Sequence, residues 1–145
     1  MATAQNLDVE MDERIRRHQE ERGAAFQTIE EPLDLSSGLQ NQTRNCSIVI
    51  VDCLTLWVSN LLGAMGEEGP GVEERFDGFL SALRRMEIPV ILIGNEVGWG
   101  IVPDNPLSRT FRDMSGRLHQ AIGQIADQVI LMVAGLPLVV KGKGK

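Results

Sequence analysis

The residues best suited to chemistry fall in a few separate places along the chain. His18 lies in a charged stretch with Arg14 before it and Arg22 after it, so that on a helix the three share one face. Cations around an imidazole favour its neutral, nucleophilic form, and the same cations would neutralise a phosphoryl group under attack. That combination suits a phosphohistidine or nucleotidyl-histidine intermediate. The alternative is an exposed histidine among solvated charges, with Glu20 and Glu21 as counter-ions. Asp52 closes the apolar run Cys46-Ser-Ile-Val-Ile-Val-Asp52. A carboxylate at a strand end can hold Mg2+ against nucleotide phosphates or cap the helix that follows. The segment Asn95-Glu96-Val-Gly-Trp-Gly-Ile-Val-Pro103 sets glycines on both sides of Trp99. The glycines permit close approach of a ligand and the indole can stack on a planar group, the alternative being a surface loop with a buried tryptophan. Arg109 and Arg112, one turn apart at the start of a helical pattern, can clamp phosphate or form a solvated face with Asp113. His119 indicates neither role.

These residues need elements to position them, and the pattern supplies an α/β alternation. Val9 to Glu21 reads as a charged helix with Met11 and Ile15 on one side, ended by Gly23. Residues 24–45 show no sustained period, and the polar tract Ser36 to Asn45 reads as a loop. Cys46–Asp52 reads as a strand buried on both faces, Leu54–Met65 as an apolar helix, and Gly63–Gly71 as a loop. An amphipathic helix over Val72–Met86 leads to a second buried strand, Pro89–Gly94. After the Gly- and Pro-punctuated loop Asn95–Pro106 come a helix over Leu107–Ala126, a third strand at Gln128–Val133 and a short fourth at Leu138–Val140. Apolar strands alternating with helices predict a single α/β domain over residues 1–145 with a mostly parallel sheet.

Composition narrows the class. The chain has 145 residues, a formal net charge of -6 and 43% hydrophobic content, which fits one globular core. That acidic balance argues against a nucleic-acid partner. No apolar stretch is long enough to cross a bilayer, and the first residues have neither the basic nor the apolar region of a leader, so a cytoplasmic location is expected. The two cysteines, Cys46 and Cys53, are too few for a zinc site or a disulfide framework and read as small core residues.

Together the segments resemble one family. Ala2-Thr-Ala-Gln5, Asp12-Glu-Arg-Ile-x-x-His18 and Thr28-Ile-Glu-Glu-Pro32 resemble its first third; Val51-Asp-Cys-Leu-Thr-Leu-Trp-Val-Ser-Asn-Leu-Leu62 resembles its middle. Asn95-Glu-Val-Gly-Trp-Gly-Ile-Val-Pro103, Arg109-x-Phe-Arg-Asp113 and Gly116-Arg-x-x-Gln120 resemble its last third. The family is the adenosylcobinamide kinase / adenosylcobinamide-phosphate guanylyltransferase of cobalamin biosynthesis. The resemblance implies a RecA-like P-loop fold, a homotrimer, and two reactions: phosphorylation of adenosylcobinamide by ATP or GTP, then transfer of GMP from GTP to its phosphate through a guanylylated histidine. It implies that this histidine is His18, and that guanine-nucleotide contacts lie at Ala4, Gln5, Asn6, Gln19, Glu20, Glu21, Arg22, Glu30 and Asp52. Asp52 takes the place of a family acid and is the candidate Mg2+ ligand.

The chain departs from the family pattern at one point. Members begin with a strand, a G-x-x-x-x-G-K-[ST] loop and its helix, and no such motif occurs in these 145 residues. The chain is therefore expected to match the C-terminal four-fifths of the family domain, without its first strand and P-loop. Removal of a central strand is expected to leave strand edges unpaired. The alternative reading of function is a non-catalytic nucleotide- or corrinoid-binding remnant.

Overall fold

The computed structural model describes residues 1–5, 13, 16–17, 26–66 and 70–143. Within the expected helix Val9–Glu21, the described residues Glu13, Arg16 and Arg17 are helical and exposed. Asn6, Arg14, His18, Gln19, Glu20, Glu21 and Arg22 lie outside the described residues.

The centre of the fold is a parallel sheet. Strands β1 (Val49–Asp52) and β2 (Val90–Ile93) pair in register from Val49↔Val90 to Asp52↔Ile93. Residues 1–3 extend the sheet beyond β1. The Asp52 N–H donates to the Met1 carbonyl (2.9 Å) and the Thr3 N–H to the Asp52 carbonyl (3.1 Å). On their other side Ala2 N–H donates to Ile29 O (2.8 Å) and Glu31 N–H to Ala2 O (2.9 Å). The rows therefore run 29–31, 1–3, β1, β2, with the bridges at Ala2 parallel on both sides.

Period-two alternation gives this sheet one buried face. Val49 and Val51 sit in the core, and Val90 and Leu92 pack against it. On the other face Ile48, Ile91 and Ile93 are exposed, because the register sets Ile91 beside Ile50 and Ile93 beside Asp52. Burial on both faces, as read from the apolar runs, is thus corrected to one face among the described residues.

Three of the helices among the described residues follow from their apolar spacing. In α2 (Leu54–Met65) the residues Leu54, Trp57, Val58, Leu61 and Leu62 fall on one stripe and are buried. Trp57 is fully buried, its ring 4.9 Å from Phe79 and 5.6 Å from Phe76, both on α3 (Pro70–Leu83). Its indole N–H donates to Leu33 O at 3.1 Å, which lets a polar atom enter the core at no loss. Helix α4 (Pro106–Ile125) presents Met114 and Leu118 to the same cluster and is capped by Asn105, whose side chain accepts from Ser108 N–H.

The polar tract expected as a loop contains a helix, α1 (Leu35–Gln42). Asp34 caps it, and Leu35 and Leu39, one turn apart, are fully buried or nearly so. Tertiary packing of that leucine pair overrides the poor helix propensity of Ser-Ser-Gly.

The last strands do not join the parallel sheet among the described residues. β3 (Val129–Val133) and β4 (Leu136–Lys141) form an antiparallel hairpin, Val133 opposite Leu136. Its turn residues Ala134 and Gly135 both have positive φ (50° and 79°), the backbone that a tight right-twisted hairpin requires. The ammonium of Lys141 donates to the carbonyls of Gly123 and Gln124 (3.0 Å each), neutralising the C-terminal end of α4. The edge of β2 away from β1 has no strand on it among the described residues. No helix among them is long and apolar enough to cross a membrane.

Candidate functional site

Ligands of parallel sheets sit beyond the carboxyl ends of the strands. There the chain gathers residues far apart in sequence. Ala4 and Gln5 leave the row of residues 1–3; Glu30 bridges to Ala2 on one side and Asp52 bridges to it on the other. Asn95 and Glu96 leave β2 beside Asp52, whose register partner is Ile93. The structure thus brings together Ala4, Gln5, Glu30, Asp52, Asn95 and Glu96 at one end of the sheet. A cleft of about 300 Å³ runs along the outer face of β1 to Asp52, lined also by Phe26, Thr28, Ile48 and Ile50.

Buried polar contacts fix this end of the sheet. Thr3 is wholly buried; its hydroxyl donates to Cys53 O (2.7 Å) and accepts from Cys53 N–H (2.8 Å). The Asn60 amide donates to Thr3 O (2.7 Å) and Pro32 O (3.1 Å), bolting α2 across the first two rows. The Thr55 hydroxyl accepts from Asn95 N–H (2.9 Å), joining the first turn of α2 to the loop after β2. The N-cap of α2 is Cys53, without a side-chain cap bond, so the capping alternative for Asp52 is not what the fold adopts. Both cysteines are free and half-buried.

The loop after β2 is held at both ends. His119 Nδ1 lies 3.1 Å from Glu96 Oε1, and the ring fills the space over Gly94, where an added Cβ would stand 2.6 Å from Nε2. Glycine at 94 is therefore required by close approach of the imidazole. Arg109 donates to the carbonyls of Pro103 (2.9 Å) and Asp104 (2.6 Å). In this structure the Arg109 guanidinium therefore braces the loop. Arg112 approaches Asp113 at 3.9 Å. Trp99, expected to be buried if the loop were ordinary, is 75% exposed.

Thr3, Thr55, Asn60 and His119 were not singled out by sequence reasoning. Asn60 carried a signal, since an amide within the apolar run Leu54–Leu62 has to find partners. The roles of Thr3 and Thr55 depend on long-range pairing and left no local mark.

A sheet of parallel rows with helices packed on it, and acids and a glycine-rich loop at the carboxyl ends, defines an α/β domain with a candidate ligand site at its strand ends. The family described as cobinamide kinase / cobinamide phosphate guanyltransferase matches residues 1–140, and the chain belongs to it. The bifunctional adenosylcobalamin biosynthesis protein CobP of Pseudomonas aeruginosa is 40% identical over 143 residues, covering 99% of this chain and 82% of that protein. The bifunctional adenosylcobalamin biosynthesis protein CobU of Salmonella typhimurium is 34% identical over 152 aligned positions, covering 97% of this chain and 84% of that protein.

Proposed function

We propose that the chain carries the guanylyl-transfer machinery of a bifunctional enzyme that phosphorylates adenosylcobinamide and then converts the phosphate to a GDP adduct. The observation that supports this most directly is the family match over residues 1–140, within which Ala4, Gln5, Glu30 and Asp52 meet at one end of the sheet. In the transfer, a ring nitrogen of His18 attacks the α-phosphorus of GTP. A P–N bond forms, the Pα–O bond to the β-phosphate breaks, and pyrophosphate leaves. A phosphate oxygen of adenosylcobinamide phosphate then attacks the same phosphorus, and the P–N bond breaks to regenerate His18. Arg14 and Arg22 neutralise the phosphoryl oxygens, and Gln19, Glu20, Glu21 and Asn6 contact the nucleotide.

Asp52 is the residue that would bind Mg2+. Among the described residues no group of three or more His, Cys, Asp or Glu side chains could cage a metal. One carboxylate fits an ion carried mainly by water and nucleotide phosphates, and Mg2+ supplies charge neutralisation there.

The kinase half needs phosphate-cradling amides and a lysine. With no G-x-x-x-x-G-K-[ST] motif in these 145 residues, a RecA-like P-loop has to come from outside them. A second reading is nucleotide or corrinoid binding without turnover. Homotrimeric assembly and a cytoplasmic location complete the proposal.

The test is incubation with α-labelled GTP and Mg2+, beside His18→Ala, followed by denaturing separation. Label retained by the wild type and lost in the variant is the expected result. A folded wild type that takes no label refutes transfer by this chain and leaves the binding reading.

A further inference from the structure

The loop from Gly94 to Asn105 combines two properties that seldom occur together. It exposes large apolar side chains: Trp99 is 75% exposed, Ile101 97% and Val102 55%. It is also pinned. Thr55 holds Asn95, His119 holds Glu96, and Arg109 holds the carbonyls of Pro103 and Asp104. The polar contacts at the two ends of the loop are made on the body of the protein, and the large apolar side chains between them are presented outward. A surface with rigid apolar anchors binds with less ordering cost than a mobile loop, and exposed apolar clusters of this kind mark binding sites.

We propose that this loop is the docking platform for the corrinoid acceptor; the inference rests on the function proposed above. A corrinoid is a broad macrocycle with apolar faces and a rim of amide groups. The Trp99 indole, Ile101 and Val102 cover one face of it. Gly98 and Gly100, with open space where a side chain would be, leave backbone N–H and C=O groups accessible to the amide rim. Charge selects against a nucleotide at this spot. Glu96 and Asp104 are exposed there, and Arg109, the cation nearest in sequence, is engaged by carbonyls. A triphosphate would find no unengaged cation among these residues, whereas a macrocycle held by its apolar faces and amides needs none. The platform follows β2, next to Asp52, so an acceptor lying on it reaches the strand ends where the nucleotide is proposed to bind.

The experiment is equilibrium dialysis of dicyanocobinamide against the wild type, Trp99→Ala, Ile101→Ser and Leu136→Ser, with folding checked by circular dichroism and mass by sedimentation. Leu136 is 70% exposed on β4 and serves as an apolar position on a different element. The expected result is about tenfold weaker binding in Trp99→Ala, a several-fold loss in Ile101→Ser and no change in Leu136→Ser. Equal binding by Trp99→Ala and wild type overturns the proposal, as does absence of binding by a folded wild type. A changed mass in Trp99→Ala with an unchanged dissociation constant makes the loop a contact between copies and also overturns it. The GTP-labelling assay separates the two ideas. Labelled His18 with Trp99-independent cobinamide binding sinks the platform alone. Trp99-dependent binding without label keeps the platform and sinks the transfer step.

Discussion

Asn60 is the side chain whose removal most directly tests how the site is held together. Its amide donates to the carbonyls of Thr3 and Pro32, at 2.7 and 3.1 Å. Thr3 is wholly buried, so truncation leaves its carbonyl without that donor and out of reach of bulk water. An unsatisfied buried carbonyl costs about 1–3 kcal/mol, and the half-buried Pro32 carbonyl less. Asn60→Ala is therefore expected to destabilise by about 2 kcal/mol. In urea that corresponds to a midpoint lowered by about 1 M, and on heating to a transition about 4–8 °C lower. Ser59→Ala, at the exposed neighbouring position, is expected to stay within about 0.5 kcal/mol of the wild type. Asn60→Asp keeps the shape but turns two acceptor-only oxygens toward two carbonyls, so it is expected to cost more than alanine near neutral pH. Its deficit is expected to narrow as the pH falls through the carboxylate range, because the protonated acid can donate once. Chemical denaturation of the three variants checks this. An alanine variant no less stable than Ser59→Ala would show that the bolt across the first two rows carries no weight.

Two further outcomes follow from single contacts. Gly94→Ala sets a methyl 2.6 Å from His119 Nε2 and is expected to cost about 1–3 kcal/mol; in a His119→Ala background the penalty is expected to fall sharply, and a double-mutant cycle reads the difference. Asp34 caps α1 and pairs with Arg75 at 3.0 Å. Burial pushes its pKa up, but the hydrogen bonds from Ser37 and the Arg75 guanidinium outweigh this and hold it below the usual carboxylate value. A depressed folded-state value gives stability that is present above the unfolded-state value and lost as the pH falls through the folded one. Asp34→Ala is accordingly expected to cost about 1 kcal/mol at neutral pH, with the gap to wild type closing in acid. Asp34→Asn keeps the cap acceptor but not the charge that faces Arg75, so it is expected to fall slightly below wild type at neutral pH and to lose the acid dependence.

The elements legible in the sequence are those whose burial is local. Leu54–Met65 formed as read, because five apolar side chains fall on one stripe. Cys46–Asp52 and Pro89–Gly94 contained their strands, shortened to Val49–Asp52 and Val90–Ile93. Helix α1 was not legible, since Leu35 and Leu39 gain their burial from partners distant in the chain. The same limit applied at the site. Asp52 and the Asn95 block announced themselves at strand ends, while the neighbourhood of Ala4, Gln5, Glu30 and Asp52 is created by pairing through Ala2. His119 gave no periodic or motif signal. Its partner is Glu96, and its place over Gly94 depends on the packing of α4 across the end of β2.

The isoleucine face of the parallel sheet has a practical consequence. Ile48, Ile91 and Ile93 form an apolar strip in contact with solvent, and every residue of β4 is exposed as well. Water wets such strips poorly, and identical molecules offer one another the cheapest cover. The described fold is therefore expected to take up hydrophobic dyes while still folded, which a fluorescence titration checks. Its apparent melting temperature is expected to rise with protein concentration, because burying that strip against a neighbour would be linked to folding by mass action.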